Sequence, residues 1–87
     1  MTIWKYSVPI NDSVVLFMPR GAKILTVQMQ ETTACVWAIV DPEAENASRS
    51  FSWFGTGHPL PERFSGEYIG TVQNANGSLV FHLFEMP

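Results

Sequence analysis

Polar and apolar residues alternate with period two along most of this chain. Residues 3–10 put Trp4, Tyr6, Val8 and Ile10 on one face and Ile3, Lys5 and Ser7 on the other. That pattern predicts a strand, and Pro9, which cannot donate to a ladder, suits its end or a sheet edge. Asn11-Asp12-Ser13 is a turn cluster. Val14–Met18 is a short apolar run closed by Pro19-Arg20-Gly21, where Pro fixes φ and Gly follows two residues later. Residues 22–30 alternate again, with Leu25, Val27 and Met29 opposed to Thr26, Gln28 and Gln30, as in a strand with one wet face. Residues 34–40 are apolar on both faces, which predicts a central strand buried on both sides.

The second half continues in the same manner. Asp41–Ser48 is a polar connection in which Asp41 and Pro42 could cap a single helical turn. Arg49–Phe54 sets Phe51 and Trp53 against Ser50 and Ser52. Tyr68–Gln73 is interrupted by Gly70, which signals a bulge or a close approach of another backbone. Asn74–Gly77, ending in Asn76-Gly77, predicts a hairpin turn into Leu79–Phe84, with a short tail beyond. No stretch carries helical apolar spacing. The pattern predicts a single all-β domain over residues 1–87, a compact antiparallel sandwich or partly open small barrel of about six to seven short strands.

Composition sharpens this. The chain has 87 residues, 46% of them hydrophobic and only 15% charged, against a usual charged share of ~25%. A core this small is barely self-sufficient, and a homo-oligomer would bury apolar surface that a monomer exposes. A net charge of −3 with five dispersed Lys and Arg gives no footprint for duplex nucleic acid. Cys35 is the only cysteine, so no internal disulfide forms and a reducing compartment is natural. Neither a signal sequence nor an apolar run of membrane length is present. The reading is cytosolic, with no membrane partner.

The longest stretch without strand character is Phe51–Gly66 after its aromatic start, and loops of that length in a small domain are commonly functional. Gly55-Thr56-Gly57-His58 could present successive backbone N–H groups, a hydroxyl and an imidazole to an anion, with Arg63 and Arg20 adding charge. Trp53 or Phe54 could stack a base. These eight residues form the candidate ligand site. The same glycine turn reads more simply as a tight bend into a Pro-fixed loop, and Trp53 and Phe54 read equally as core. Trp37, on the doubly apolar strand, reads as core. No Lys or helix follows the glycines as a phosphate loop requires.

The remaining chemistry is sparse. His58, His82 and Cys35 match no zinc spacing, Cys35 reads as a buried inert thiol, and His82 as a surface or interface histidine. No acid–base pair is placed in a cleft. The expectation is a protein that is not an enzyme and uses no cofactor or metal.

Several blocks together resemble a known family: Trp4-Lys5-Tyr6, Met18–Leu25, Trp37–Pro42, Gly55-Thr56-Gly57-His58-Pro59-Leu60 and Tyr68–Val72. They are similar to a family of small proteins of unknown function common in bacteriophage and prophage genomes, whose most distinctive part is the Gly-Thr-Gly-His-Pro block. The resemblance brings no catalytic residues. It implies a viral protein acting in the bacterial host cytoplasm, and small phage proteins of this sort are often accessory factors, including inhibitors of host defence. The expected function is therefore a binding protein that sequesters a small anionic, nucleotide-like signal or inhibits a host protein. The alternative is a homo-oligomeric structural or assembly component of the virion.

Overall fold

The computed structural model describes residues 1–74 and 76–87. Seven strands follow one another: β1 Thr2–Ser7, β2 Val14–Pro19, β3 Lys23–Gln30, β4 Thr33–Val40, β5 Asn46–Gly55, β6 Glu67–Gln73 and β7 Val80–Met86. All pairings are antiparallel. They form a three-stranded sheet in the order β1-β4-β3 and a four-stranded sheet in the order β2-β5-β7-β6. The two sheets lie against each other as a sandwich that does not close into a barrel. Cα extents of 40 × 33 × 16 Å fit two layers packed ~10 Å apart.

The core follows from the alternation. Ala34, Val36, Ala38 and Val40 of β4 face inward and meet Phe51 and Trp53 of β5, Leu83 of β7 and Val72 of β6. Val8, just past β1, is held by its N–H on the Ala34 carbonyl at 2.9 Å and is fully buried. As expected, β4 is central in its sheet, and Cys35 is buried and free.

Two faces differ from the period-two reading. A register shift between Ile24 and Thr26 makes Leu25 the extra residue of a bulge. Ile24, Val27 and Met29 therefore pack on or in the core while Leu25 is exposed. Trp37 is half-buried on the outer side of the smaller sheet, between its cross-strand neighbours Lys5 and Thr26. The inward side of β4 belongs to its even-numbered residues, which displaces Trp37 from the core.

Connections also differ in extent. The Asp41 carboxylate accepts the Glu43 N–H and its carbonyl accepts the Ala44 N–H, both at 3.0 Å. This makes a turn rather than a helical turn, and β5 begins at Asn46, earlier than the alternation from Arg49 indicates. Glu85 and Met86, read as tail, are strand. The hairpin turn read at Asn74–Gly77 includes Ala75, which lies outside the described residues. Around it, Gly77 has φ +72° and the Asn74 N–H donates to the Leu79 carbonyl at 3.0 Å. Gly70 fulfils the bulge half of its reading, and its close neighbour is a side chain rather than a backbone. The ladder shifts register between Tyr68 and Gly70, and a Cβ on Gly70 would stand 2.6 Å from Val27 Cγ1 across the sandwich.

Candidate functional site on the outer face of the larger sheet

Cross-strand register decides what the larger sheet shows to solvent. Val14 and Leu83 sit opposite buried Phe51 and Trp53 respectively, so the residues between them point outward. From the edge inward these are Val15 and Phe17 on β2, then Ser48, Ser50, Ser52 and Phe54 on β5. His82, Phe84 and Met86 follow on β7, with Tyr68 and Thr71 on β6. None of them is an Asp, Glu, Lys or Arg. Phe17 is 66% exposed, Tyr68 58% and Val15 53%. A contiguous uncharged face with exposed aromatics is the composition of an interface centre rather than of ordinary solvated surface.

The segment after β5 is folded onto this face. The His58 N–H donates to the Gly55 carbonyl at 3.1 Å with Gly57 at φ +87°, a turn that needs glycine at its third position. The His58 ring lies so close over Gly55 that a Cβ there would stand 2.8 Å from ring atoms. Further on, Arg63 adopts the left-handed region at φ 56°. The next residue, Phe64, sets its ring edge-on to Phe54 at 5.5 Å and Phe84 at 4.9 Å, while Tyr68 flanks Phe84 at 5.6 Å. Edge-to-face aromatic pairs contribute about 0.5–1.5 kcal/mol beyond the area they bury. The aromatic cluster therefore fastens the loop to the sheet, and Leu60 in the same loop is 49% exposed.

Beside the cluster runs a polar chain. Thr56 Oγ1 is 2.7 Å from His82 Nε2, Thr71 Oγ1 is 2.9 Å from His82 Nδ1, and the Tyr68 hydroxyl is 2.6 Å from Thr71 Oγ1. A neutral imidazole donates from one nitrogen and accepts at the other, so each threonine takes the complementary role and either tautomer satisfies the chain. These bonds fix the ring of His82 and join the loop, β7 and β6.

The residues read from the sequence as a ligand site are only partly brought together. Phe54, Gly55, Thr56, Gly57, His58 and Arg63 share one end of the sheet. Trp53 does not join them: it is 4% exposed and packed in the core, because inward and outward positions alternate along β5. It offers no face to a base. Arg20 follows β2 and bonds through its backbone to Glu45, at the opposite end of β5. The length of β5 separates it from Gly55 by roughly 30 Å.

The glycine turn is also less of an anion cradle than its sequence suggests. Thr56 N–H donates to Val80 O, His58 N–H to Gly55 O, and the Thr56 hydroxyl is engaged with His82. Donors already bonded within the fold are not displayed to a ligand. Sequence reasoning missed Tyr68, Thr71 and Phe84 as parts of one surface. The signal available was their outward parity on strands whose pairing the sequence did not disclose.

Two cavities lie beyond the centre of this face, and Tyr68 lines the first of them. One of about 360 Å³ opens at the sandwich end between β3 and β6, lined among others by Lys23, Arg49, Glu67 and Glu85. There the Glu85 carboxylate holds the Arg49 guanidinium above its ordinary pKa. Another of about 410 Å³ lies by the β3–β4 hairpin, with Lys5, Gln30, Glu31 and Cys35 on its wall. Among the described residues, no three His, Cys, Asp or Glu side chains gather as a metal site.

Comparison with protein families places this architecture. A domain of unknown function, DUF7352, matches the chain over residues 1–87. The chain belongs to this family. Comparison with curated proteins and with solved structures finds no match. The family match spans both sheets and the folded-back loop, so the outer face of the larger sheet lies wholly within the DUF7352 domain.

Proposed function

We propose that this DUF7352 chain is a non-enzymatic binding protein that recognises a host protein through the outer face of its larger sheet and the loop fastened to it. The observation that carries the reading is the exposure of Phe17, Tyr68 and Val15 among outward strand positions that hold no charged side chain, with Leu60 exposed in the loop beside them. Such a surface gains from excluding water against another apolar surface. A small ligand is usually enclosed by a concave pocket, whereas here the loop lies down on the sheet and Phe64 fills the space beneath it. The phage setting and a counter-defence role rest on the resemblance of the sequence to phage and prophage proteins. In that setting the chain acts as an accessory inhibitor in the host cytoplasm.

The test is capture from bacterial lysate followed by reconstitution with the purified captured protein. Wild-type chain is expected to form a stoichiometric complex that is weakened at least tenfold by Leu60→Asp or Tyr68→Ala, each with an unchanged circular dichroism spectrum. Calorimetry against cyclic and linear nucleotides runs beside it. Nucleotide binding that is abolished by His58→Ala and Arg63→Ala would replace this reading with sequestration of a small anionic signal.

A further inference from the structure

An open sandwich has four edge strands, and natural sheets protect such edges with charge, bulges or cover. β1 carries Lys5 at its middle. β3 carries Lys23 and the bulge at Leu25. β6 is broken by the bulge between Tyr68 and Gly70, and Gly70 lies close against Val27 of β3. β2 has neither charge nor bulge, and its one safeguard is the buried Pro19 at its end. Its sequence Val-Val-Leu-Phe-Met-Pro holds no charge, and its register with β5 is unbroken.

The direction of its free hydrogen-bonding groups follows from one bond. Arg20 N–H donates to the Glu45 carbonyl at 2.7 Å, and Arg20 lies one step beyond the Pro19–Asn46 pair. Residues that exchange hydrogen bonds with a neighbouring antiparallel strand alternate with those that do not. Leu16 and Met18 therefore turn their backbone groups toward β5, while Val15, Phe17 and Pro19 turn theirs outward. Pro19 has no N–H to leave unpaired there, and its carbonyl accepts the Ala22 N–H at 3.0 Å. Val15 and Phe17 present both N–H and C=O at the open edge, and among the described residues no other strand pairs there.

We propose that β2 pairs with β2 of a second copy, antiparallel about a twofold axis at Leu16, so that two four-stranded sheets join into one. This inference rests on the backbone geometry of β2; it shares Val15 and Phe17 with the host-protein reading, whose test variants at Leu60 and Tyr68 lie outside the pairing. Charge selects both the occupant and the register. Asp12 and Arg20 are equidistant from Leu16 along the chain. Asp12 lies in the bend before β2 and Arg20 in the turn after it, so the axis brings the end that carries Asp12 beside the end that carries Arg20 of the second copy, and the reverse. Both residues are exposed, and among the described residues neither side chain has an internal partner. In the same register Val15 and Phe17 of opposite copies exchange backbone bonds, and their side chains form aromatic to β-branched pairs on the outer face. An isologous contact of this kind closes on itself and does not propagate.

Light scattering and sedimentation over a concentration series test the proposal. The expected result is a reversible dimer of twice the 9.8 kDa chain mass. Arg20→Asp and Asp12→Arg are each expected to weaken it about tenfold at low salt, and the double exchange to return it to within about twofold of wild type. Val15→Pro removes an outward N–H without touching the β5 ladder, and Val15→Lys keeps the backbone intact. Both are expected to give monomers with native circular dichroism. A wild-type chain that stays at 9.8 kDa throughout overturns the proposal, as does a dimer indifferent to Val15→Pro and Val15→Lys. A double exchange that fails to recover overturns the register about Leu16.

Discussion

Arg49 and Glu85 meet as a two-pronged ion pair on the inward side of the larger sheet. They are diagonal neighbours on β5 and β7, and Arg49 Nη2–H donates to Glu85 Oε1 at 2.9 Å while Nε–H donates to Oε2. The same guanidinium donates from Nη1 to the Ala22 carbonyl at 2.8 Å, in the connection that leads to β3. One side chain thus ties the larger sheet to the entrance of the smaller one. Arg49→Met should destabilise the fold by about 1–2 kcal/mol, since Glu85 and the Ala22 carbonyl both lose a partner in a half-buried site. Arg49→Lys keeps the charge but not the fork and should cost about 1 kcal/mol. Urea unfolding measures both. The raised Arg49 pKa sets no pH dependence at neutrality: its stabilisation is complete below the ordinary guanidinium value and is lost only as pH climbs through the higher folded one.

Tyr6 gives the pH dependence that can be measured. Its ring is on the inward side of β1 opposite Val36, and its hydroxyl is buried with no hydrogen-bond partner among the described residues. Desolvation by burial raises its pKa above the ordinary value of about 10. A raised folded pKa means stability that is intact below the unfolded value and lost as pH rises through the folded one. Wild type should therefore lose stability above about pH 10. Tyr6→Phe removes an unpaired polar group and should be neutral or stabilising by about 1 kcal/mol at pH 7. Its alkaline loss should be smaller than that of wild type. A Tyr6→Phe variant with the same alkaline profile as wild type would show that other groups govern that limb.

Trp53 separates a structural role from a binding one. Full burial among Val14, Leu83 and the β4 valines predicts that Trp53→Ala costs about 3–5 kcal/mol, enough to unfold a domain of this size. Trp53→Phe should retain the fold at reduced stability, because it removes an indole N–H that has no partner among the described residues but leaves part of its volume empty. Thermal melts of the two variants check this. Selective loss of binding in Trp53→Phe without loss of stability would return Trp53 to the recognition surface.

The strands were legible because alternation is a local signal. Ile3 to Ser7 and Arg49 to Phe54 carry it plainly, Val14 to Met18 shows only as a short apolar run, and Gly70 announced a bulge. Pairing order was not legible: nothing local says that β2 joins β5 or that β7 lies between β5 and β6. Faces failed where local pattern is silent. A bulge at Leu25 changes parity midway through β3, and an apolar run such as Ala34 to Val40 does not say which side Trp37 takes. The candidate site suffered for the same reason. Gly55 to His58 was conspicuous in the sequence, but the surface it belongs to is assembled from β6 and β7 residues that only the register brings alongside.

Gly70 and Val27 allow the joint between the sheets to be tested directly. β3 and β6 are edge strands of different sheets, and they approach so closely that any Cβ on Gly70 would stand 2.6 Å from Val27 Cγ1. Val27 is buried at 4% exposure and has little room to move. Gly70→Ala should therefore destabilise the fold by about 1–3 kcal/mol through overpacking. Val27→Ala alone should cost about 1–2 kcal/mol through lost burial and the cavity left behind. In the double variant the new methyl occupies space that Val27 vacates. Its cost should fall short of the sum of the single costs by at least about 1 kcal/mol, as coupled neighbours do. Denaturant midpoints of the four proteins in the cycle measure this, and strict additivity would mean that the strands part freely at this contact.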